Sequence, residues 1–235
     1  MTGPCGMPLQ TAMLELMSTG WLRAGVLEAL DLVTPCFCAG CGRLGEALCE
    51  RCGAALYEPP RPVRVSATDL PVWAVTAYEG EVRRLILAWK RGRVDVAGHI
   101  LAAFSQFADR WRLLSDEPVG VVIPAPSGLR RRISGRFVVG QVATSVGEVL
   151  EVPARDVLRT RSVGHGGGRG ALARSRNSGE IRVVGRAELP ARAVVVDDVV
   201  TTGVTLEACA RALAGQGVEV AAGLVLAATP RRSVV

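Results

Sequence analysis

Apolar residues along the chain form two patterns, short β-branched runs and longer stretches at helical spacing. The clearest run, Ala193–Val196, is rich in valine, which favours a buried parallel strand. Further strands are predicted at Leu70–Tyr78, Val119–Ile123, near Val157, Ile181–Val184 and Val218–Leu226. Helices are predicted over Thr11–Leu32, Glu81–Trp89, Val94–Leu114, Phe137–Leu150 and Thr205–Gln216. Strands that alternate with helices in this way predict an α/β domain, with a parallel sheet flanked by helices.

Two adjacent carboxylates, Asp197 and Asp198, follow the clearest apolar run. The chain then passes through small residues into a predicted helix: Val199, Val200, Thr201, Thr202, Gly203, Val204 and Thr205. Backbone N–H groups at a helix start attract anions, and Gly203 allows a close approach of the backbone. The carboxylates would repel a phosphate but suit sugar hydroxyls or Mg²⁺. The segment therefore predicts a site for a phosphate, a polyol and Mg²⁺ together, the alternative being an ordinary strand–turn–helix.

Two C-x2-C pairs in the N-terminal part of the chain predict a closed zinc site. The ligands would be Cys38, Cys41, Cys49 and Cys52. Four thiolates leave no open coordination position, so the predicted role is structural. Cys36 is a fifth candidate with less suitable spacing, and Gly42 and Gly53 are expected to form the tight turns after each pair. The alternative is that these cysteines are buried or redox-active thiols.

Composition and charge limit the classes of protein to consider. The 235 residues carry a net charge of +6, and Lys90 is the one lysine among 28 basic residues. Uninterrupted apolar runs are too short for a transmembrane helix, and the N-terminus lacks a basic region typical of signal peptides, so a cytoplasmic protein is predicted. Between Val121 and Arg186, arginines exceed acidic residues by eight, a surplus that would attract polyanions such as single-stranded DNA.

A second group of residues is expected beside the phosphate site. Pro124 and Ala125 follow the apolar strand Val119–Ile123 and stiffen its carboxyl end. Arginines come next in the sequence, at Arg130, Arg131 and Arg132. Ligands of open α/β sheets sit outside the carboxyl ends of the strands, so these arginines would suit a pyrophosphate. The alternative is a solvated basic turn.

Prolines at positions 59, 60 and 62 predict a rigid linker. The predicted organisation is a helical extension over residues 1–31 and a four-cysteine region with the linker over 32–62. An α/β domain over 63–230 and a short tail over 231–235 complete the chain.

The segment from Asp197 to Thr205 closely resembles the phosphoribosyl-pyrophosphate (PRPP) loop of type I phosphoribosyltransferases. The order of the motifs resembles the ComF family, named for competence for DNA transformation. These motifs are the cysteine pairs, Ala77–Gly80 with the downstream Lys90, Ile123–Pro126 with its arginines, Arg174-x-x-Asn177, and the PRPP loop. The resemblance implies a type I phosphoribosyltransferase-like fold with a small N-terminal zinc knuckle.

The resemblance also implies roles for individual residues. Asp197 and Asp198 would hold the ribose hydroxyls, and the segment Val199–Thr205 would wrap the 5′-phosphate. Lys90 and Arg174 would join the proline loop and its arginines at the pyrophosphate. The implied activity is transfer of a phosphoribosyl group from Mg-PRPP to an acceptor, with a link to the DNA-uptake machinery. The competing hypothesis is a non-catalytic protein that senses PRPP or binds single-stranded DNA.

Overall fold

The structure, a computed structural model, describes residues 36–115, 118–126, 138–160, 180–185 and 188–230. The chain divides into two compact units. The first unit contains the chain up to Leu56 and the segment Glu79–Ile100. The second unit contains Tyr57–Tyr78 and the chain from Leu101 onwards. The helix predicted over Thr11–Leu32 lies outside the described residues, and the domain boundaries inferred from the sequence stay predictions.

Strands and helices alternate along the described chain, as the apolar pattern predicts. The strands are β1 (Arg61–Val63), β2 (Val72–Ala77), β3 (Val121–Pro124), β4 (Leu158–Thr160), β5 (Ile181–Val183), β6 (Arg192–Val200) and β7 (Glu219–Ala228). The helices are α1 (Glu50–Ala54), α2 (Gly80–Lys90), α3 (Val94–Leu114), α4 (Val138–Leu150) and α5 (Val204–Ala214). Among these residues, no helix has both the length and the apolar character needed to cross a membrane.

Five strands of the second unit form one sheet in the order β1-β2-β7-β6-β3. The pairs β2–β7, β7–β6 and β6–β3 are parallel, and only the edge pair β1–β2 is antiparallel. Strands β4 and β5 form a separate antiparallel pair. The mixed α/β fold with a mainly parallel sheet is therefore confirmed.

Strand β6, which lies between β7 and β3, is buried on both faces, as expected of a parallel strand covered by helices. Val194, Val195 and Val196 are fully buried. On one face, Ala193 and Val195 share a hydrophobic cluster with Leu206, Cys209 and Leu213 of α5. Helix α4 also contacts β3 and β6. Burial of this apolar surface fixes the position of β6, and with it the acidic pair that the strand carries near its carboxyl end.

Strand β1 occupies the segment where the sequence predicts a proline linker. Pro62 lies opposite Trp73 of β2, and Arg61 lies opposite Ala74. A proline has no N–H to donate, so it is tolerated only on an edge strand. The linker prediction is wrong for Arg61–Val63, because proline content alone does not distinguish a linker from a sheet edge.

We expect Gly147→Ala to destabilise the protein and Gly98→Ala to stabilise it. Both glycines lie inside helices, where alanine is intrinsically favoured by about 0.5–1 kcal/mol. A Cβ on Gly147 would meet the Val152 carbonyl oxygen at 2.7 Å, whereas a Cβ on Gly98 has no neighbour within 4 Å. Overpacking at Gly147 should cost about 1–3 kcal/mol in the free energy of unfolding, measured by urea denaturation. Equal effects of the two substitutions would contradict this packing.

Candidate functional site

Four cysteines of the first unit bring their sulfur atoms together. The Sγ atoms of Cys38, Cys41, Cys49 and Cys52 all lie within 4.8 Å of one another. Cys38 Sγ and Cys41 Sγ each lie 3.6 Å from Cys49 Sγ. Cys36, the fifth candidate from the sequence, is not part of this group.

The two C-x2-C pairs adopt different backbone structures. Cys38 and Cys41 flank a turn in which the Gly42 N–H donates to the Cys38 carbonyl at 2.8 Å. Gly42 has a φ of 76°, so the predicted tight turn after the first pair is confirmed. In the second pair, Cys49 precedes α1 and Cys52 lies within that helix. Gly53 is also helical, so the tight turn predicted at this glycine is wrong.

The close packing of the first turn leaves no room for a side chain at Gly40. A Cβ on this residue would lie 2.8 Å from Cys52 Sγ and 3.4 Å from Leu85 Cγ. The Gly40 carbonyl accepts a hydrogen bond from Arg84 Nε of α2. Helix α2 therefore helps to hold the first cysteine pair against the second.

The donor set fits a tetrahedral metal such as zinc. Sulfurs about 2.3 Å from a zinc ion lie about 3.8 Å apart in a regular tetrahedron, close to the distances found here. Burial opposes ionisation of Cys38, but backbone N–H groups, led by that of Cys49, lower the pKa of its thiol to about 6. The Cys49 N–H lies 3.4 Å from Cys38 Sγ. Burial raises the pKa of the Cys52 thiol to about 12, so a bound cation would be needed to hold all four sulfurs as thiolates.

In the second unit, the acidic pair lies near the carboxyl end of β6. Asp197 lies opposite Val225 of β7, and its Oδ1 accepts a hydrogen bond of 2.8 Å from the Asp198 N–H. The Asp198 side chain is only 6% exposed, whereas Asp197 is half-buried. Burial, assisted by the charge of Asp197, raises the pKa of the Cys209 thiol to about 12. Val195, two residues earlier in the strand, shares a hydrophobic cluster with α5, so Asp197 lies on the α5 side of the sheet and Asp198 on the opposite side.

The loop after β6 consists of Thr201, Thr202 and Gly203. Gly203 has φ 87° and ψ 0° and precedes the first residue of α5. No side chain caps this helix, and its first intrahelical bond runs from the Glu207 N–H to the Gly203 carbonyl at 2.9 Å. The N–H groups of the first turn, from Val204 to Leu206, therefore have no partner within the helix. A helix start of this kind suits an anion.

The carboxyl ends of β3 and β6 meet at the same edge of the sheet. Pro124 lies opposite Val196, and the Ala125 N–H donates to the Val196 carbonyl at 2.8 Å. Pro124 and Asp197 therefore lie side by side, which confirms that the two segments share an edge. The polar edge brings together the acidic pair, the loop that follows it and the start of the proline loop.

The other residues predicted for this site lie either outside the described residues or in the first unit. Arg130, Arg131, Arg132 and Arg174 lie outside the described residues. Lys90 is in the last turn of α2 and belongs to the first unit. Their proposed contacts with pyrophosphate stay predictions.

A segment that the sequence does not point to packs against the loop Thr201–Gly203. The Ala67 N–H donates to the Thr202 carbonyl at 2.9 Å. A Cβ on Gly203 would lie 2.7 Å from Val65 Cγ2 and 3.2 Å from Thr68 Cγ2. The loop is thus supported from residues about 135 positions earlier in the chain, and no pattern near Val65 signals this contact.

Residues 135–234 match the family model of the phosphoribosyl transferase domain. This region includes the acidic pair, the loop, and helix α5. A search of curated proteins finds no match. The match supports a phosphoribosyltransferase-like domain in this part of the chain.

Solved structures give low-identity similarities. Orotate phosphoribosyltransferase from Aeropyrum pernix is 21% identical with a TM-score of 0.35, and the alignment covers 76% of this chain and 78% of that one. UMP synthase from Leishmania donovani is 17% identical with a TM-score of 0.36, and this chain spans 76% of its own length but only 31% of that protein. Adenine phosphoribosyltransferase from Leishmania donovani is 15% identical with a TM-score of 0.38, over 74% of this chain and 66% of that chain. All three TM-scores are below 0.5.

We expect freshly prepared protein that has not met a chelator to contain about one zinc ion per chain, measured by elemental analysis. Cys49→Ser should lose the metal and unfold more readily, because a structural zinc ion supplies folding free energy. Cys209→Ala is the matched control, since this buried cysteine lies outside the sulfur group and should leave the zinc content unchanged. Wild-type protein with little zinc, or Cys49→Ser with full zinc, would contradict the assignment.

Proposed function

We propose that this protein binds Mg-PRPP and transfers its phosphoribosyl group to an acceptor, with release of pyrophosphate. One observation carries the proposal. A buried interior strand carries two carboxylates near its carboxyl end, shortly before a small-residue loop and an uncapped helix start. The match of residues 135–234 to the phosphoribosyl transferase domain supports the same activity.

The loop would hold the 5′-phosphate mainly through backbone N–H groups. Gly203 and the first turn of α5 supply donors at the positive end of the helix dipole. Thr201, Thr202 and Thr205 are exposed, so their hydroxyls are accessible for additional hydrogen bonds. Asp197 and Asp198 would accept hydrogen bonds from the ribose hydroxyls. They would not contact the phosphate, because both groups are negatively charged and repel each other.

The carboxylates also fit a magnesium ion. Mg²⁺ prefers oxygen ligands, keeps several waters and is commonly bound through one or two carboxylates together with substrate phosphates. Asp197 and Asp198 provide such oxygens at the edge of the sheet. A bound ion would neutralise part of the charge on the pyrophosphate.

The reaction would be a displacement at the anomeric carbon of the ribose. A bond forms between the acceptor nucleophile and this carbon, and the bond from the carbon to the pyrophosphate oxygen breaks. The pyrophosphate leaves with the bonding electron pair, and the acceptor loses a proton to solvent or to a nearby base. The protein would contribute by positioning the ribose phosphate and by stabilising charge. Lys90, Arg130, Arg131, Arg132 and Arg174 are the proposed pyrophosphate contacts.

The resemblance to the ComF family extends the proposal to the biological setting. It implies a cytoplasmic role linked to DNA uptake, with a structural zinc ion held by the four cysteines. The surplus of arginines between Val121 and Arg186 favours a second candidate function, in which the protein senses PRPP or binds single-stranded DNA without catalysis. DNA binding through phosphate contacts would weaken steeply with salt, whereas PRPP binding at a preformed loop would do so less.

We expect saturable binding of Mg-PRPP by isothermal titration calorimetry, and weaker binding by Asp198→Asn. Asparagine keeps an oxygen acceptor but lacks the charge, and a hydrogen bond to a charged group contributes about 1–1.5 kcal/mol more than a neutral one, which corresponds to roughly a tenfold loss of affinity. Thr202→Ala should cost less, because the backbone donors remain. Asp109→Asn is the matched control, since this exposed carboxylate pairs with Arg112 within α3 at 2.9 Å.

Two results would contradict the proposal. One is wild-type protein that shows no saturable heat with millimolar Mg-PRPP. The other is Asp198→Asn that binds as tightly as Asp109→Asn. Salt-sensitive binding of single-stranded DNA in the absence of PRPP binding would favour the second candidate function.

A further inference from the structure

The segment of residues 64–71, called the strap here, joins β1 to β2 and is anchored at both ends. Val63, which immediately precedes the strap, lies opposite Val72, which immediately follows it. The Pro71 carbonyl accepts a hydrogen bond of 2.9 Å from the Gly223 N–H of β7. Within the strap, Thr68 Oγ1 accepts a hydrogen bond of 3.1 Å from the Leu70 N–H, which stabilises a local turn. The strap is therefore a closed loop attached to the sheet.

The strap contacts the loop of Thr201, Thr202 and Gly203 through one hydrogen bond and through the packing of two side chains. The Ala67 N–H donates to the Thr202 carbonyl at 2.9 Å. Val65 and Thr68 occupy the space where a side chain on Gly203 would point. All of these contacts converge on the peptide bond between Thr202 and Gly203.

The hydrogen bond from Ala67 and the trans geometry of the chain together define the orientation of that peptide. Gly203 itself has a φ of 87° and a ψ of 0°, in the left-handed region. The described chain has no cis peptide bond, so the Thr202 carbonyl and the Gly203 N–H point in opposite directions. Because the carbonyl points to Ala67, the Gly203 N–H points away from the strap.

We propose that Ala67 is a positioning residue, whose N–H holds the Thr202–Gly203 peptide in the orientation that presents the Gly203 N–H to the 5′-phosphate. The inference rests on the proposed function, because it concerns the same loop. Rotation of this peptide would turn the Thr202 carbonyl oxygen towards the phosphate in place of a donor. The Thr202 carbonyl can accept the hydrogen bond from Ala67 only when the Gly203 N–H points away from the strap. The strap therefore stabilises that orientation before the ligand binds.

The packing contacts act in the same direction. Val65 and Thr68 press on the side of Gly203 where only a hydrogen atom fits. The left-handed φ of Gly203 and this close approach both exclude other residues at position 203. The sequence pattern suggests that a phosphate requires glycine here, but in the structure the neighbours of the missing Cβ are strap residues.

The test uses Ala67→Pro, which removes the donor N–H, with Ser66→Pro as the matched control. Ser66 is exposed and lies next to Ala67, so its replacement introduces the same ring and keeps the Ala67 N–H. Ribose 5-phosphate and magnesium pyrophosphate are titrated separately by calorimetry, and folding is checked by circular dichroism. Ala67→Pro should weaken binding of ribose 5-phosphate about tenfold or more, because one donor is lost and replaced by an acceptor. Binding of pyrophosphate, and both affinities of Ser66→Pro, should stay within about twofold of wild type.

The outcomes separate the strap from the function. Wild-type protein that does not bind ribose 5-phosphate would overturn the proposed function itself. If wild-type protein binds ribose 5-phosphate and folded Ala67→Pro binds it equally tightly, only the role of the strap is overturned. An equal loss of affinity for ribose 5-phosphate and for pyrophosphate in Ala67→Pro would also overturn that role. If Ala67→Pro does not fold, an amide-to-ester replacement at Ala67 decides, because it removes the same N–H and keeps the Ala67 side chain. A selective loss of ribose 5-phosphate affinity in the ester variant supports the inference, and unchanged affinity overturns it.

Discussion

The parallel pairing of β6 with β3 and β7 is the interaction on which the rest of the second unit depends. Evenly spaced backbone hydrogen bonds fix the register of Pro124 opposite Val196 and of Asp197 opposite Val225. The fully buried valines of β6 make this register costly to change, because a slip by one residue would exchange the two faces of the strand. The carboxylates, the start of the proline loop and the start of α5 are thereby placed at one edge of the sheet.

Much of this arrangement could be predicted from the sequence, because its causes are local. The valine run predicts β6, and the bounds predicted for α3, Val94–Leu114, agree with the structure. The cysteine spacing predicts the sulfur group, since each C-x2-C pair places two thiols close enough to bind one metal ion. These features depend on patterns a few residues long.

What the sequence could not predict depends on contacts between distant segments. Arg61–Val63 forms an edge strand only because β2 offers an unpaired edge. Gly53 is helical because α1 starts at Glu50, and the C-x2-C pattern does not specify that conformation. The support of Gly203 by Val65 and Ala67 involves a separation of well over a hundred residues, and neither segment carries a pattern that indicates its partner.

The proline in β1 has a consequence for self-association. A sheet that ends in an open strand offers a row of backbone donors and acceptors to any second chain, which is a common route to aggregation. Pro62 removes one donor from that row, and Arg61 and Pro62 are both exposed. On the opposite side of the sheet, Ala154 forms a bridge with Val122, and the Val122 N–H donates to the Pro153 carbonyl at 3.0 Å, so β3 does not form a free border. The two borders of the sheet are thus protected by different means, an interrupted ladder on one side and a covering segment on the other.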